Sequence, residues 1–265
     1  MVNVIRPSKD SDGSILYRCK LCGAEYTETI PATGELFILV IQDILPWTSD
    51  SNTQVLNKLM HTNYIEGWEL IPTGRLSTVD FSQYDTIYIA NDQPDATYKR
   101  LAAYMDELVA FADNGGTLII GACDEGWVDG NISSCLPAGI TKGTYYSMNN
   151  YIASPNNDIV TGAKTPEGSI TNASLLGTYC SHSYFTNLPA DAEIILTDAN
   201  GRPTLCEFSY GNGNIVLSGL TWEFYYVRNY LFGTSNFSKL CYDDLFLHSK
   251  TAVKTHEHIF NETVL

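Results

Sequence analysis

One thiol stands where α/β folds do their chemistry. Cys123 lies in Gly121-Ala122-Cys123-Asp124-Glu125-Gly126-Trp127, directly after the apolar, β-branched run 117–120. It therefore falls just past the carboxyl end of a strand, the edge at which open α/β sheets collect ligands. A cysteine attacks as thiolate, which needs a helix N-terminus or an imidazole to lower its pKa. Asp124 and Glu125 work the other way, because negative neighbours raise a thiol. Two readings follow: a nucleophile assisted from elsewhere in the chain, or a small packed core residue.

Other chemistry-bearing residues gather at predicted strand ends. Asp43, Asp92, Asp124, Glu125 and Glu223 could hold a hard cation at one sheet edge, or cap helices and face water. Trp47, Trp127 and Trp222 also follow strands. Their indoles suit stacking on a sugar ring or a peptide side chain, or they close the floor of a cleft. Near the start, Cys19-Lys20-Leu21-Cys22-Gly23 is a C-x-x-C-G knuckle. It offers two thiolates, where a structural zinc site needs four ligands. His256 and His258, spaced to share one face of an extended segment, are the candidate partners at the far end.

The elements that must place these residues alternate between strand and helix. Residues 36–41 read as a buried first strand, 51–61 as a helix, 68–71 as a second strand and 84–90 as a third. Residues 96–113 carry Leu101, Tyr104, Met105, Leu108 and Ala112 as one helical stripe. Residues 117–120 are the fourth strand. Such alternation implies right-handed crossovers and a parallel sheet. Residues 128–190 are rich in Gly, Asn, Ser and Pro and predict an irregular insertion with short strands at best. Asn212-Gly213 between the runs 204–210 and 215–219 signals a late β-hairpin. The stretch 225–247 predicts helix with a break near Gly233.

Composition narrows the partners. With 15 basic and 30 acidic residues among 265, the net charge is -15. That excludes the basic footprint of a nucleic-acid binder and disfavours anionic membranes. No apolar run reaches the ~18 residues of a membrane span. The first residues lack the apolar core of a secretory signal. The chain thus reads as cytoplasmic or as a piece of a longer exported protein. The seven cysteines show no disulfide spacing.

Strand, crossover helix, Gly-Gly, strand and then Gly121-Ala122-Cys123 resembles the class I glutamine amidotransferase-like superfamily over residues 35–248. In its catalytic members the nucleophile sits in G-x-C-x-G, and a later His-Pro-Glu supplies base and orienter. Here Gly126 comes one place late, and Thr221-Trp222-Glu223 stands in for His-Pro-Glu: the glutamate is kept and the histidine is gone. The resemblance implies a substitute base. With His61 at a helix end, His182 is the candidate, giving Cys123, His182 and Glu223 as a catalytic set. Gly121–Trp127, Ser181–Phe185 and Gly219–Glu223 together resemble uncharacterised extracellular bacterial modules of this superfamily. Residues 1–34, with Asp12-Gly13, Tyr17, Cys19, Cys22, Gly23 and Ile30-Pro31-Ala32-Thr33-Gly34, resemble the back half of a C-x-x-C repeat of exported and surface proteins. Residues 255–265 resemble the front of the next copy. The repeat's upstream cysteine is replaced near Lys9.

The expected fold is α/β: a doubly wound, flavodoxin-like, mostly parallel sheet with a late β-hairpin and a small β knuckle at the N-terminus. The expected divisions are residues 1–34, a partial zinc-ribbon-like repeat; 35–250, the α/β domain; and 251–265, a following repeat or tail. The expected role is a ligand- or partner-binding module of a bacterial exported or surface protein, with degenerate catalytic residues. Its ligand-binding set is Asp43, Trp47, Asp92, Asp124, Trp127 and Trp222, with structural zinc at Cys19/Cys22 as the one cofactor considered. Its partner is a small molecule, glycan or surface protein. A cysteine hydrolase using Cys123 and a ligand-free structural spacer are the alternatives.

Overall fold

Cross-strand pairing begins at once. β1 (Asn3–Ile5), β2 (Gly13–Arg18) and β3 (Glu25–Ile30) form an antiparallel sheet in that order. Tyr17 and Tyr26 face each other across β2 and β3 and stack with centroids 6.1 Å apart. Aromatic cross-strand pairs of this kind hold small sheets together. The computed structural model describes residues 3–5, 11–19, 22–30, 36–137, 139–162, 169–177, 179–226 and 237–248.

From Phe37 the chain is an α/β fold. β4 (Phe37–Ile41), β5 (Gly67–Ile71), β6 (Thr86–Ile89) and β7 (Thr117–Gly121) are the parallel strands of its first half. β8 (Thr141–Ser147), β9 (Asn150–Ile152), β10 (Ser181–Thr186), β11 (Glu193–Asp198), β12 (Pro203–Tyr210) and β13 (Gly213–Ser218) follow. One eight-stranded sheet runs β5-β4-β6-β7-β13-β12-β11-β9. Its first five strands are parallel, in the doubly wound order with the first strand between the second and third. The last three are antiparallel.

The central strands bury both faces, so they read as continuous apolar runs. Ile38, Val40, Tyr88, Ile119 and Val216 point to one core, Leu39, Ile41, Ile87, Leu118 and Leu217 to the other. α1 (Ser51–His61) contributes Val55, Leu56 and Leu59 to the first. α2 (Asp95–Ala102) and α3 (Met105–Asp113) cover the second. The single helix expected over 96–113 is therefore two. Tyr104 leaves helical geometry at φ -116°, ψ 7°. α2 thereby turns to pack on the 3-10 turns 73–78 and 133–135, while α3 lies on β7 and β13.

The insertion holds more structure than its composition suggests. β8 and β10 pair antiparallel over five partners, and β9 adds a strand to β11. α4 (Asp158–Thr161) caps itself through Asn157. The chain then closes with α5 (Trp222–Tyr226) and α6 (Phe237–Leu247) on the α1 side. No helix among the described residues is long and apolar enough to cross a membrane.

Candidate functional site

Cys123 sits two residues beyond β7 and is fully buried. Its backbone is pinned on both sides: its N–H donates to Asn91 Oδ1 at 2.8 Å, and its carbonyl accepts from Asp92 N at 2.9 Å. Gly121 has no room for a side chain, because a Cβ would come within 2.7 Å of the Ile89 carbonyl and 2.8 Å of Asn91 Oδ1. The first glycine of the G-x-C segment therefore serves this Asn91 anchor. Burial, and then the carboxylates of Glu223, Asp124 and Asp92, push the Cys123 thiol well above its ordinary value. At neutral pH the sulfur is a thiol.

His182 is on β10, which lies across the carboxyl ends of β7 and β13. Its N–H donates to the Gly219 carbonyl at 2.9 Å, and the neighbouring Ser183 hydroxyl donates to the Ala122 carbonyl at 2.8 Å. The three segments 121–127, 181–185 and 219–223 thus meet at one edge. His182 Nδ1 lies 2.9 Å from the Glu125 carbonyl. A carbonyl only accepts, so Nδ1 carries the proton and Nε2 is left as an acceptor. Burial lowers the His182 pKa, keeping the ring neutral at pH 7. Tyr146 covers it at 4.3 Å between centroids.

Glu223, in the first turn of α5, faces the core. Tyr88 donates its hydroxyl to Oε1, while Asn91 donates Nδ2 to Oε2 at 2.7 Å. Burial raises its pKa to about 7 against those donors. Asn91 therefore bridges Glu223 and the Cys123 backbone, a connection that sequence reasoning did not single out. Among the described residues, the hydrogen bonds of Cys123, His182 and Glu223 go to these partners and not to one another.

The strand-end carboxylates are each engaged separately. Burial alone would raise Asp43, but Thr97, Thr73 and Arg100 hold its pKa below the ordinary value. Asp92 accepts from Trp47 N at 2.7 Å and Val128 N at 2.9 Å; burial raises its pKa. Asp124 is ion-paired with the buried Lys142 at 2.6 Å and accepts from Ile132 N. Glu125 accepts from Thr144 Oγ1 at 2.8 Å. Among the described residues no group of three His, Cys, Asp or Glu is placed to hold a metal ion. Cys19 and Cys22 are exposed at the β2–β3 turn. His256 and His258 lie outside the described residues, as does the 251–265 segment.

What the edge does contain is an aromatic cleft of about 300 Å³, walled by Trp47, Trp127, Tyr179, Phe224 and Tyr225. Besides the polar tips of those rings, the His182 ring and the Thr221 side chain line it, and Gly126 forms part of its floor. Of the predicted ligand residues, Trp47 and Trp127 line it. Asp92 lies behind Gly126, where a Cβ would come 2.3 Å from Asp92 Oδ1 and 2.7 Å from Trp47 Nε1. Trp222 is in the core instead, its Nε1 donating to Tyr88 Oη at 2.9 Å. Trp47, Asp92 and Tyr179 hold positive φ angles of 47°, 52° and 47°. Left-handed backbone at non-glycine residues costs on the order of 1–2 kcal/mol each and tends to gather at functional sites. Phe224, Tyr179 and Tyr225 were missed in the sequence because single aromatics in a loop or short helix carry no spacing signal. His248, also not singled out, ends buried with Nε2 2.8 Å from Glu207 Oε2, away from this cleft.

No family model matches the sequence. An uncharacterised protein of Clostridium acetobutylicum is 29% identical over 188 residues, which take in 71% of this chain and 18% of that protein's length. Similar solved structures include a cytoplasmic protein of Salmonella typhimurium, at 11% identity and a TM-score of 0.49, covering 89% of this chain and 94% of that one. A glutamine amidotransferase of Thermotoga maritima is similar at 10% identity and a TM-score of 0.46, with 81% and 99% covered.

Proposed function

We propose that this chain is a ligand-binding module of the class I glutamine amidotransferase-like superfamily, which uses the aromatic cleft at the carboxyl edge of its sheet and performs no cysteine chemistry. The superfamily reading is supported by the strand order and by the three motif segments meeting at the expected edge. The binding reading is carried by one observation: the Cys123 thiol is sealed beneath the surface, while a ring-lined cleft opens at the same edge. A nucleophile needs its thiolate, and here both burial and three carboxylates oppose that form. Aromatic walls with a few polar groups are the usual make-up of a small-ligand site. The resemblance of residues 1–34 to surface-protein repeats supports placing the module in an exported bacterial protein.

Alkylation tests the reading. Iodoacetamide at neutral pH should modify the exposed Cys19 and Cys22 first and leave Cys123 unmodified until the protein unfolds. Preferential labelling of Cys123, slowed by His182→Ala, would instead establish the hydrolase alternative with Cys123, His182 and Glu223. A rise in melting temperature with a cleft ligand distinguishes the binding module from a spacer.

A further inference from the structure

The shape and charge of the cleft specify more than an apolar slot. Its rings do not form one flat platform. Trp47 meets Phe224 at 73° and Trp127 meets Phe224 at 77°, with centroids 6.1 and 6.0 Å apart. Phe224 in turn meets Tyr225 at 82°. Walls near right angles enclose a compact, rounded group. A pyranose prefers one face to lie flat on, plus hydrogen-bond partners for each hydroxyl. Apart from the hydroxyl and indole N–H tips of the rings themselves, the lining supplies His182 and Thr221 as side-chain polar groups, and the Thr221 hydroxyl already donates to the Tyr179 carbonyl.

Among the described residues, the unpaired charges around the cleft are carboxylates. Among the described residues that line it there is no lysine or arginine. The nearby Lys142 is buried and spent on Asp124. Behind the floor, the Asp92 carboxylate approaches so closely that only a glycine fits at 126. Glu125 adds a second carboxylate beside His182, within a molecule of net charge -15. Ring faces attract cations through their quadrupoles, and a carboxylate behind them adds to that field.

We infer that the cleft is an aromatic cage for a methylated ammonium group, with Trp47, Trp127 and Phe224 as its walls and Asp92 as the charge behind its floor. The occupant is a small quaternary ammonium compound. This rests on the binding reading above and names the ligand class of the same site.

The test compares choline chloride with 3,3-dimethylbutan-1-ol, its neutral carbon isostere, and with glucose, by calorimetry and tryptophan fluorescence at fixed ionic strength. Choline should bind, and the isostere should bind at least about tenfold more weakly, because a desolvated cation–π contact is worth roughly that factor or more. Trp127→Leu removes a wall residue that is 60% exposed. It should weaken choline binding about fivefold or more while leaving the melting temperature within about 2 °C, as surface changes usually do. Gly126→Ala should abolish binding by displacing Trp47 and Asp92. Equal binding of choline and the isostere would overturn the cage while leaving a ligand site. Binding of glucose alone would do the same. If none of the three binds, the cage is overturned, while the binding reading is decided separately by the alkylation of Cys123.

Discussion

Glu223 shows how much a single buried carboxyl can impose on a site. Its pKa is raised to about 7 from the ordinary 4.5, chiefly by burial, although Tyr88 and Asn91 donate to it. Between those two pH values the native state holds a proton that the unfolded chain has released. The group's contribution to stability is therefore greatest below about pH 4.5 and is lost as pH rises through about 7, by up to ~3 kcal/mol. His182 has the opposite sign, since its lowered pKa costs stability as pH falls below the ordinary histidine value. Comparing Glu223→Gln with the parent isolates the glutamate. Denaturant unfolding at about pH 5 and pH 7.5 should show the parent losing more stability across that interval than the variant. Parallel pH profiles would mean that Glu223 is ionised in the core throughout. In the sequence, Glu223 and Cys123 were visible as paired motif residues. Their partner Asn91 was not, since an asparagine after a strand looks like any loop residue.

At the scale of elements, the edge is assembled by close approaches that only small residues permit. β7 delivers Gly121 against β6, and Asn91 fills the space where a Cβ would stand. Gly121→Ala should force that asparagine away, break its bond to Cys123 N and destabilise the fold by about 1–3 kcal/mol. The measurement is the denaturation midpoint at unchanged m-value; a shift below about 0.5 kcal/mol would show the strands relaxing around the methyl group. β10 is the element least legible beforehand. Its pattern of buried Ser181, Ser183 and Phe185 is short, sits in a polar stretch, and finds its partner β8 some forty residues upstream. The break between α2 and α3 was hidden for a different reason. Tyr98, Leu101, Met105 and Leu108 keep one stripe through it, so periodicity alone reads a continuous helix.

For the whole molecule, the hydrogen bonds that define the β1–β3 sheet run within residues 3–30, while the α/β body carries its own two cores. A chain beginning near residue 35 should therefore fold alone and melt within about 2 °C of the parent, as expected when few stabilising contacts are lost. Differential scanning calorimetry of both chains checks this; a much lower melting temperature would make residues 1–34 part of the fold. The parallel half of the sheet and the helical character of the segments that cross it are legible in local composition. Buried parallel strands must be apolar on both faces, and amphipathic helices must show their stripe, so local composition is enough. The family resemblance, and no local pattern, named Cys123, His182 and Glu223 together. What the ligand-facing edge contains emerges from long-range packing. Burial, the direction each side chain takes and the meeting of rings from residues 47, 127, 179 and 224 depend on segments far apart in sequence, and no local pattern encodes the angle at which two distant rings meet.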